Sequence, residues 1–182
     1  DPRGRLMQAV VFLLDATVGF FSALFLLRFM MQATRVSFAG QLGRFVVSLT
    51  DWAVKPLRRV IPGVGGFDWA SLVAAFALQL ALAALLVGLA GPGVAADAGT
   101  LAITVAWLAL RSLLRLAIYI LIGALILQAV LSWINPYSPL AAPASQLTRP
   151  LLDPVRRFVP PISGIDLSPL VVILLLQALL ML

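Results

Sequence analysis

Apolar residues arrive in four blocks, 6–33, 69–90, 101–134 and 167–182, separated by stretches where charged, small and turn-forming residues concentrate. Crossing roughly 30 Å of hydrocarbon takes about 20 helical residues, so three blocks are long enough to span a bilayer and the last is nearly so. The pattern predicts an all-α membrane protein with four transmembrane helices. Gly91-Pro92-Gly93 and the small residues through Thr100 separate the second block from the third, because proline cannot continue a helix and glycine relaxes its end. The third block exceeds what one upright helix needs. It tilts, projects from the membrane, or breaks near Arg111 and Arg115, so 101–115 is either interfacial or part of a span over 106–134.

Two intervening stretches have a helical rather than a uniform pattern. In 42–61, Leu49, Ala53, Val54, Leu57, Val60 and Ile61 share one face, with Asp51, Lys55, Arg58 and Arg59 on or near the other. In 141–159, Leu147, Leu151, Leu152, Val155, Phe158 and Val159 repeat this, opposed by Arg149, Asp153, Arg156 and Arg157. Each is expected to be an interfacial helix in the headgroup plane, since Arg opposite Leu, Val and Phe is the usual pattern there. The alternative is that these faces pack on the transmembrane bundle.

The two stretches are copies. Sliding the sequence by 98 positions superposes 49–84 on 147–182 without a gap, and 13 of the 36 positions are identical, a frequency that points to duplication. The identities include Thr50/Thr148, Pro56/Pro154, Arg58/Arg156, Arg59/Arg157, Pro62/Pro160, Gly66/Gly164, Asp68/Asp166 and Gln79/Gln177. The upstream spans correspond at an offset near 100, pairing 6–34 with 106–134. The unit is therefore span, amphipathic helix, span, used twice: 1–95 holds spans 6–33 and 69–90, and 96–182 holds spans 106–134 and 167–182. Two crossings return the chain to its starting side, so the repeats are expected to be parallel, about an axis along the membrane normal. Arg35, Arg44, Lys55, Arg58, Arg59, Arg149, Arg156 and Arg157 lie in the connecting segments, against Arg3 and Arg5, with Arg111 and Arg115, on the other side. The positive-inside rule then makes the amphipathic segments cytoplasmic and puts both termini outside. Trp52, Trp69, Trp107 and Trp133 fall near span ends, as interfacial aromatics should.

Composition agrees: 62% of the 182 residues are hydrophobic and 11% charged, where a soluble domain carries roughly 25% charge. The net charge of +6 comes from 13 bases against 7 aspartates. These bases flank apolar blocks and have no soluble domain on which to form a groove, so anionic lipid headgroups, not nucleic acid, are the expected counterion. The first block is too long for a cleaved signal peptide and is read as a retained span. Because the chain opens on Asp1 and stops at Leu182 inside an apolar run, termini trimmed relative to the full gene product are the expectation. With no Cys, His or Glu in the sequence, thiolate and imidazole metal sites, disulfides and His-based acid/base chemistry are excluded. No catalytic, metal-binding or cofactor-binding residue is assigned.

Asp68 and Asp166 are duplicated carboxylates, but Gly66-Phe67-Asp68-Trp69 and Gly164-Ile165-Asp166-Leu167 place them as N-caps of spans, with Phe67/Leu72 and Ile165/Leu170 as hydrophobic staples. Capping, not catalysis, is the expected role. Lys55, Arg58, Arg59, Arg149, Arg156 and Arg157 are expected to bind lipid headgroups, a ligand phosphate being the alternative. Among intramembrane polar residues, Arg28 lies near a span end and is expected to snorkel to the interface. Asp15 corresponds to Arg115 at the offset of 100; either they pair across the bundle, with Arg111 a turn away, or all three lie in water at the outer interface. Gln79, Gln177 and Gln128 are expected to form interhelical hydrogen bonds.

Lys55-Pro56-Leu57-Arg58-Arg59-Val60-Ile61-Pro62 with Gly66-Phe67-Asp68, the segment from Pro154 to Pro169, and Ser132-Trp133-Ile134-Asn135-Pro136-Tyr137-Ser138-Pro139 resemble the repeat of the YggT family of bacterial integral membrane proteins. The resemblance covers nearly the whole chain in two copies. In the first copy Gly63 stands for the usual second proline, Ala70-Ser71 for Ser-Pro, and Arg35-Val36-Ser37-Phe38 for the Asn-Pro-Tyr corner, which implies that the second copy carries whatever the motif recognises. The resemblance implies a bacterial inner-membrane location and roles in osmotic or envelope stress or, for YlmG-like members, cell division. Chloroplast relatives assist haem attachment; without His or Cys, a haem role here would be that of a scaffold. The expected function is a non-enzymatic scaffold or assembly factor that meets anionic lipids and a membrane-protein partner or a second copy of itself. The alternative is an oligomeric ion channel or osmotic-response transporter.

Overall fold

The computed structural model describes residues 2–91 and 97–182. Among them the chain is helical, in the order α1 (Pro2–Ala33), α2 (Gln41–Arg58), α3 (Trp69–Ala90), α4 (Ala98–Ile134), α5 (Ala141–Phe158) and α6 (Ser168–Leu180). Helices α1, α3 and α4 are long and apolar enough to cross a membrane. The fourth apolar helix has 13 residues, about 20 Å at 1.5 Å per residue, short of the length one upright crossing needs. The break expected at Gly91-Pro92-Gly93 and the boundary at 95/96 fall largely outside the described residues; α3 ends at Ala90 and Gly91 takes φ 91°. Helix α4 runs unbroken through Arg111 and Arg115 for 37 residues. The segment 101–115 is therefore one helix with the span, because arginine is a good helix former and both side chains turn outward.

Packing follows small residues and narrow apolar stripes. Ala70, Ala74 and Ala75 of α3 let α1 come close at Phe25 and Leu26, and Val54 of α2 and Leu113 of α4 complete this core. A second core joins Leu24 and Met31 of α1 to Val46 of α2, Ala124 of α4 and Leu147 of α5. Leu125, Leu152, Val172 and Leu176 form a third among α4, α5 and α6. The buried stripe of α2 is Gly43, Val46, Thr50 and Val54, and that of α5 is Ala144, Leu147, Thr148 and Leu152. These stripes are covered by the long helices. For the buried faces, then, packing on the bundle is what occurs, and each stripe carries a threonine whose hydroxyl meets a side chain of a long helix. Trp52 stays outward on α2, its ring about 6 Å from those of Phe21 and Phe25.

A tight hairpin leads from α2 into α3 and another from α5 into α6. Val64 bridges Phe67, and Ile162 bridges Ile165. The central pairs all have positive φ: Gly65 68° and Gly66 81°, Ser163 53° and Gly164 80°. Two consecutive left-handed residues are what a type I′ turn demands, which is why glycine recurs at 66 and 164.

The closest backbone approach is at Gly43, where an added Cβ would collide with the Phe38 main chain, whereas at Gly40 it would meet open space. Gly43→Ala is expected to destabilise the protein by about 1–3 kcal/mol, and Gly40→Ala to leave the thermal unfolding midpoint in detergent essentially unchanged.

Candidate functional site

Arg28, Asp51, Arg58 and Asp68, and again Arg149, Asp153, Arg156 and Asp166, gather at the two elbows where each amphipathic helix meets the next apolar helix. At the first, Arg28 rises from α1 and is 5% exposed. Its Nη1 donates to Thr50 Oγ1 at 2.7 Å and to Asp51 Oδ1 at 2.8 Å. Its Nε lies 3.4 Å from Asp68 Oδ2, without the alignment of a hydrogen bond. Asp68, 1% exposed, receives the fork of Arg58: Nε donates to Oδ1 at 3.2 Å and Nη2 to Oδ2 at 2.6 Å. Ser71 Oγ donates to Oδ2 at 2.7 Å. Gln32 ties the hairpin in, accepting from Arg58 Nη2 at 3.4 Å and donating to the Gly66 carbonyl at 3.3 Å. Lys55 pairs with Asp51 at 2.8 Å, one turn along α2. Phe29 stacks on Phe67 with ring centroids 6.0 Å apart, and both rings contact Trp69.

The second elbow has the same frame and different charges. Arg156 Nε and Nη2 both approach Asp166 Oδ2 at 2.9 Å, ten residues along the chain as in the Arg58–Asp68 pair. Asp166 Oδ1 accepts from the Ser168 backbone N–H at 2.9 Å. Where the first elbow has Arg28, the second has Gln128, whose Oε1 accepts from Thr148 Oγ1 at 2.5 Å. The Asp51–Lys55 pair becomes Arg149–Asp153, reversed in sign and 3.6 Å long. The changes occur together: Asp51 faces the Arg28 guanidinium in the first elbow, and no carboxylate faces the neutral Gln128 in the second. Thr50 and Thr148 occupy the same place in both elbows with opposite roles, Thr50 accepting from Arg28 and Thr148 donating to Gln128. Their identity across the copies was the signal for that place, and the reversed 51/55 pair was the signal for Asp51.

Several expected roles change. Arg28, expected to reach outward to the interface, is buried in the protein, its guanidinium hydrogen-bonded to acceptors on α2 and 3.4 Å from the Asp68 carboxylate. Asp68 occupies the N-cap position of α3 but makes no side-chain cap, because its oxygens are taken by Arg58, Arg28 and Ser71. Asp166 does cap, from one residue before the N-cap Leu167. Asp15 and Arg115 do not meet: both are exposed, as is Arg111, and none of the three joins an ion pair among the described residues. Symmetry-equivalent positions lie on equivalent faces, which need not be adjacent ones. Gln79 is buried, Gln177 exposed. Of the six bases expected to meet headgroups, Lys55, Arg58, Arg149 and Arg156 already hold carboxylates, while Arg59 and Arg157 have no carboxylate partner among the described residues.

Burial would raise the Asp68 and Asp51 carboxyls, but the arginine and lysine hydrogen bonds and charges, with Ser71 at Asp68, outweigh it and hold both below the ordinary aspartate range. A depressed carboxyl contributes stability that is complete above its unfolded value and is lost as pH falls through its folded value. Asp68→Asn is therefore expected to weaken the loss of thermal stability below about pH 4. Removing one partner from a buried ionic set costs about 3 kcal/mol. Arg28→Gln alone should lower stability by that order, and adding Asp51→Arg with Lys55→Asp, the second elbow's chemistry, should recover most of it in detergent thermal unfolding. Among the described residues no cluster of three or more carboxylates gathers that could hold a metal ion.

The model of the CCB3/YggT family matches residues 7–89 and again 107–182. The chain is 37% identical over 174 residues to "Uncharacterized protein PA0392" of Pseudomonas aeruginosa, covering 94% of this chain and 86% of that protein. It is 35% identical over 173 residues to "Uncharacterized protein in proC 3'region" of Vibrio alginolyticus, covering 94% and 91%. With "Uncharacterized protein YggT" of Escherichia coli K12 it shares 34% over 172 residues, covering 93% and 86%. No solved structure matches the chain at a significant level. The two family matches each span one elbow and the apolar helices around it, and the chain belongs to the CCB3/YggT family.

Proposed function

We propose that this protein is a non-enzymatic scaffold of the bacterial inner membrane. In this reading the chain crosses the bilayer four times as two parallel span, amphipathic helix, span repeats. Both elbows then lie at the cytoplasmic surface, and the termini are periplasmic. The reading is supported by the three long apolar helices, by the apolar run 167–182 around α6, and by the concentration of bases at the elbows. One observation carries it furthest. The Arg58–Asp68 and Arg156–Asp166 bridges fix the chain so that the next residues, Arg59-Val60 and Arg157-Phe158, turn outward. Val60 is 80% exposed and Phe158 86%, each beside an arginine with no carboxylate partner among the described residues.

Arginine next to an outward apolar residue at a membrane surface suits anionic headgroups, with the side chain beside it dipping into the acyl boundary. Two such points, held rigidly, would make a platform for lipid and for a membrane-protein partner. Envelope homeostasis, osmotic response and division are the processes that the family resemblance brings to this reading. The test uses protein purified in mild detergent and then reconstituted. Recovery of a stoichiometric membrane partner that Arg59→Glu with Arg157→Glu releases, without a change in thermal midpoint, and liposomes that pass no ions, are the expected results. Ion flux that disappears on Gln79→Ala or Asp15→Ala would replace the scaffold with a channel.

A further inference from the structure

The outward face of α2 is divided lengthwise. At about 100° of turn per residue, Arg44, Lys55 and Arg59 fall within about 60° of one another, and Trp52 and Phe45 take the next 40° or about that. Phe45 and Trp52 are each more than half exposed. Arg44 and Arg59 are exposed and have no ion-pair partner among the described residues. We propose that this face of α2, and not the matching face of α5, binds the anionic phospholipids of one leaflet, with the basic edge on their phosphates and the aromatic edge among the first acyl carbons. This assignment rests on the elbows lying at a membrane surface and holds whether or not the protein is a scaffold.

Trp52 points to lipid as the occupant. Its ring stands 6.2 Å from that of Phe21 on α1 and 6.1 Å from that of Phe25, and Phe21 meets the exposed Phe20 edge-on at 5.6 Å. Phe21 is seven residues before Arg28, about 10 Å along the helix. The aromatic row therefore runs from α2 onto the flank of a spanning helix, and the two share their surroundings. On its other side the basic edge adjoins Asp51 and Arg58, which are tied to Arg28 and Asp68 at the elbow. The bases are thus the shallower edge and the aromatics the deeper, the order of phosphates and acyl chains in a leaflet. Polar atoms along the deeper edge are satisfied within the helix: Trp52 Nε1 donates to the Leu49 carbonyl and Ser48 Oγ to the Phe45 carbonyl, both at 2.8 Å. Such an indole enters the acyl boundary without losing a hydrogen bond.

The second repeat is built differently at the same positions. Shifted by 98, Arg44, Phe45, Trp52 and Lys55 become Ala142, Pro143, Pro150 and Asp153. The aromatic edge is gone, and of the three bases only Arg157 remains, offset by Asp153. Pro150 has no N–H to give the Gln146 carbonyl, and Gln146 is exposed. Water satisfies such a carbonyl and hydrocarbon does not. The two amphipathic helices, alike in their buried stripes, differ in what they meet outside.

Trp69→Phe with Trp107→Phe and Trp133→Phe leaves Trp52 as the one tryptophan of the four. This protein is reconstituted into vesicles of phosphatidylcholine and phosphatidylglycerol in which one lipid or the other is brominated. Brominated phosphatidylglycerol is expected to quench Trp52 as if enriched about fivefold over its bulk share, and Arg44→Gln with Arg59→Gln to remove that preference while quenching by brominated phosphatidylcholine persists. In a second protein, which also carries Trp52→Phe and Gln146→Trp, the probe on α5 should be quenched by aqueous acrylamide and by neither lipid. Equal quenching of Trp52 by the two lipids would overturn the proposal, as would an α5 probe quenched by lipid as strongly as Trp52. Trp52 shielded from both lipids and from acrylamide would also overturn it, giving the face to a protein or a second copy. If lipid reached neither helix while acrylamide reached both, the proposal would fall together with the membrane-surface placement of the elbows.

Discussion

The arginine–aspartate bridge across each elbow is the constraint on which the other features depend. A chain that leaves an amphipathic helix and at once enters an apolar one must reverse within a few residues. It also has to place the polar start of the second helix somewhere. Arg58 with Asp68 and Arg156 with Asp166 do both, closing a ten-residue loop over a type I′ turn. The forked guanidinium fixes the direction of approach as well as the distance.

Onto this shared frame the two elbows build different interiors. The first encloses a buried cation, and Asp51, Asp68 and Thr50 converge on it. Such an assembly gains little net stability over an apolar core of the same shape, yet it is costly to leave incomplete. It therefore specifies one seating of α2 against α1. The second elbow substitutes a neutral amide and hydroxyl, and its Arg156–Asp166 pair is about 40% exposed where Asp68 is 1% exposed. With Ala129, Ile165 and Leu167 in place of the Phe29, Phe67 and Trp69 cluster, it also lacks the aromatic clasp. The first elbow is the more buried one, and the second is the more exposed.

The helices were legible in the sequence because they rest on local rules. Apolar block length located α1, α3 and α4, and the stripe period located α2 and α5; the glycines at 66 and 164 stood out as repeat identities, and the type I′ geometry they allow emerges only in the structure. The buried set around Arg28 was not legible, since its members lie 22 to 40 residues apart and meet only when three helices pack. Its trace was nonetheless present: the sign reversal of Asp51/Lys55 to Arg149/Asp153 accompanies the change of Arg28 to Gln128. Pairing Asp15 with Arg115 failed for the opposite reason. Equivalence under an internal repeat relates environments and does not bring the related residues together.

The proposed arrangement places both outward arginines, Arg59 and Arg157, on one membrane face. The chain contains no native cysteine, so single Arg59→Cys and Arg157→Cys variants in intact cells provide a clean readout with a membrane-impermeant maleimide. Protection of both sites until the inner membrane is opened is the predicted result. Labelling of one site from outside while the other stays protected would contradict the account.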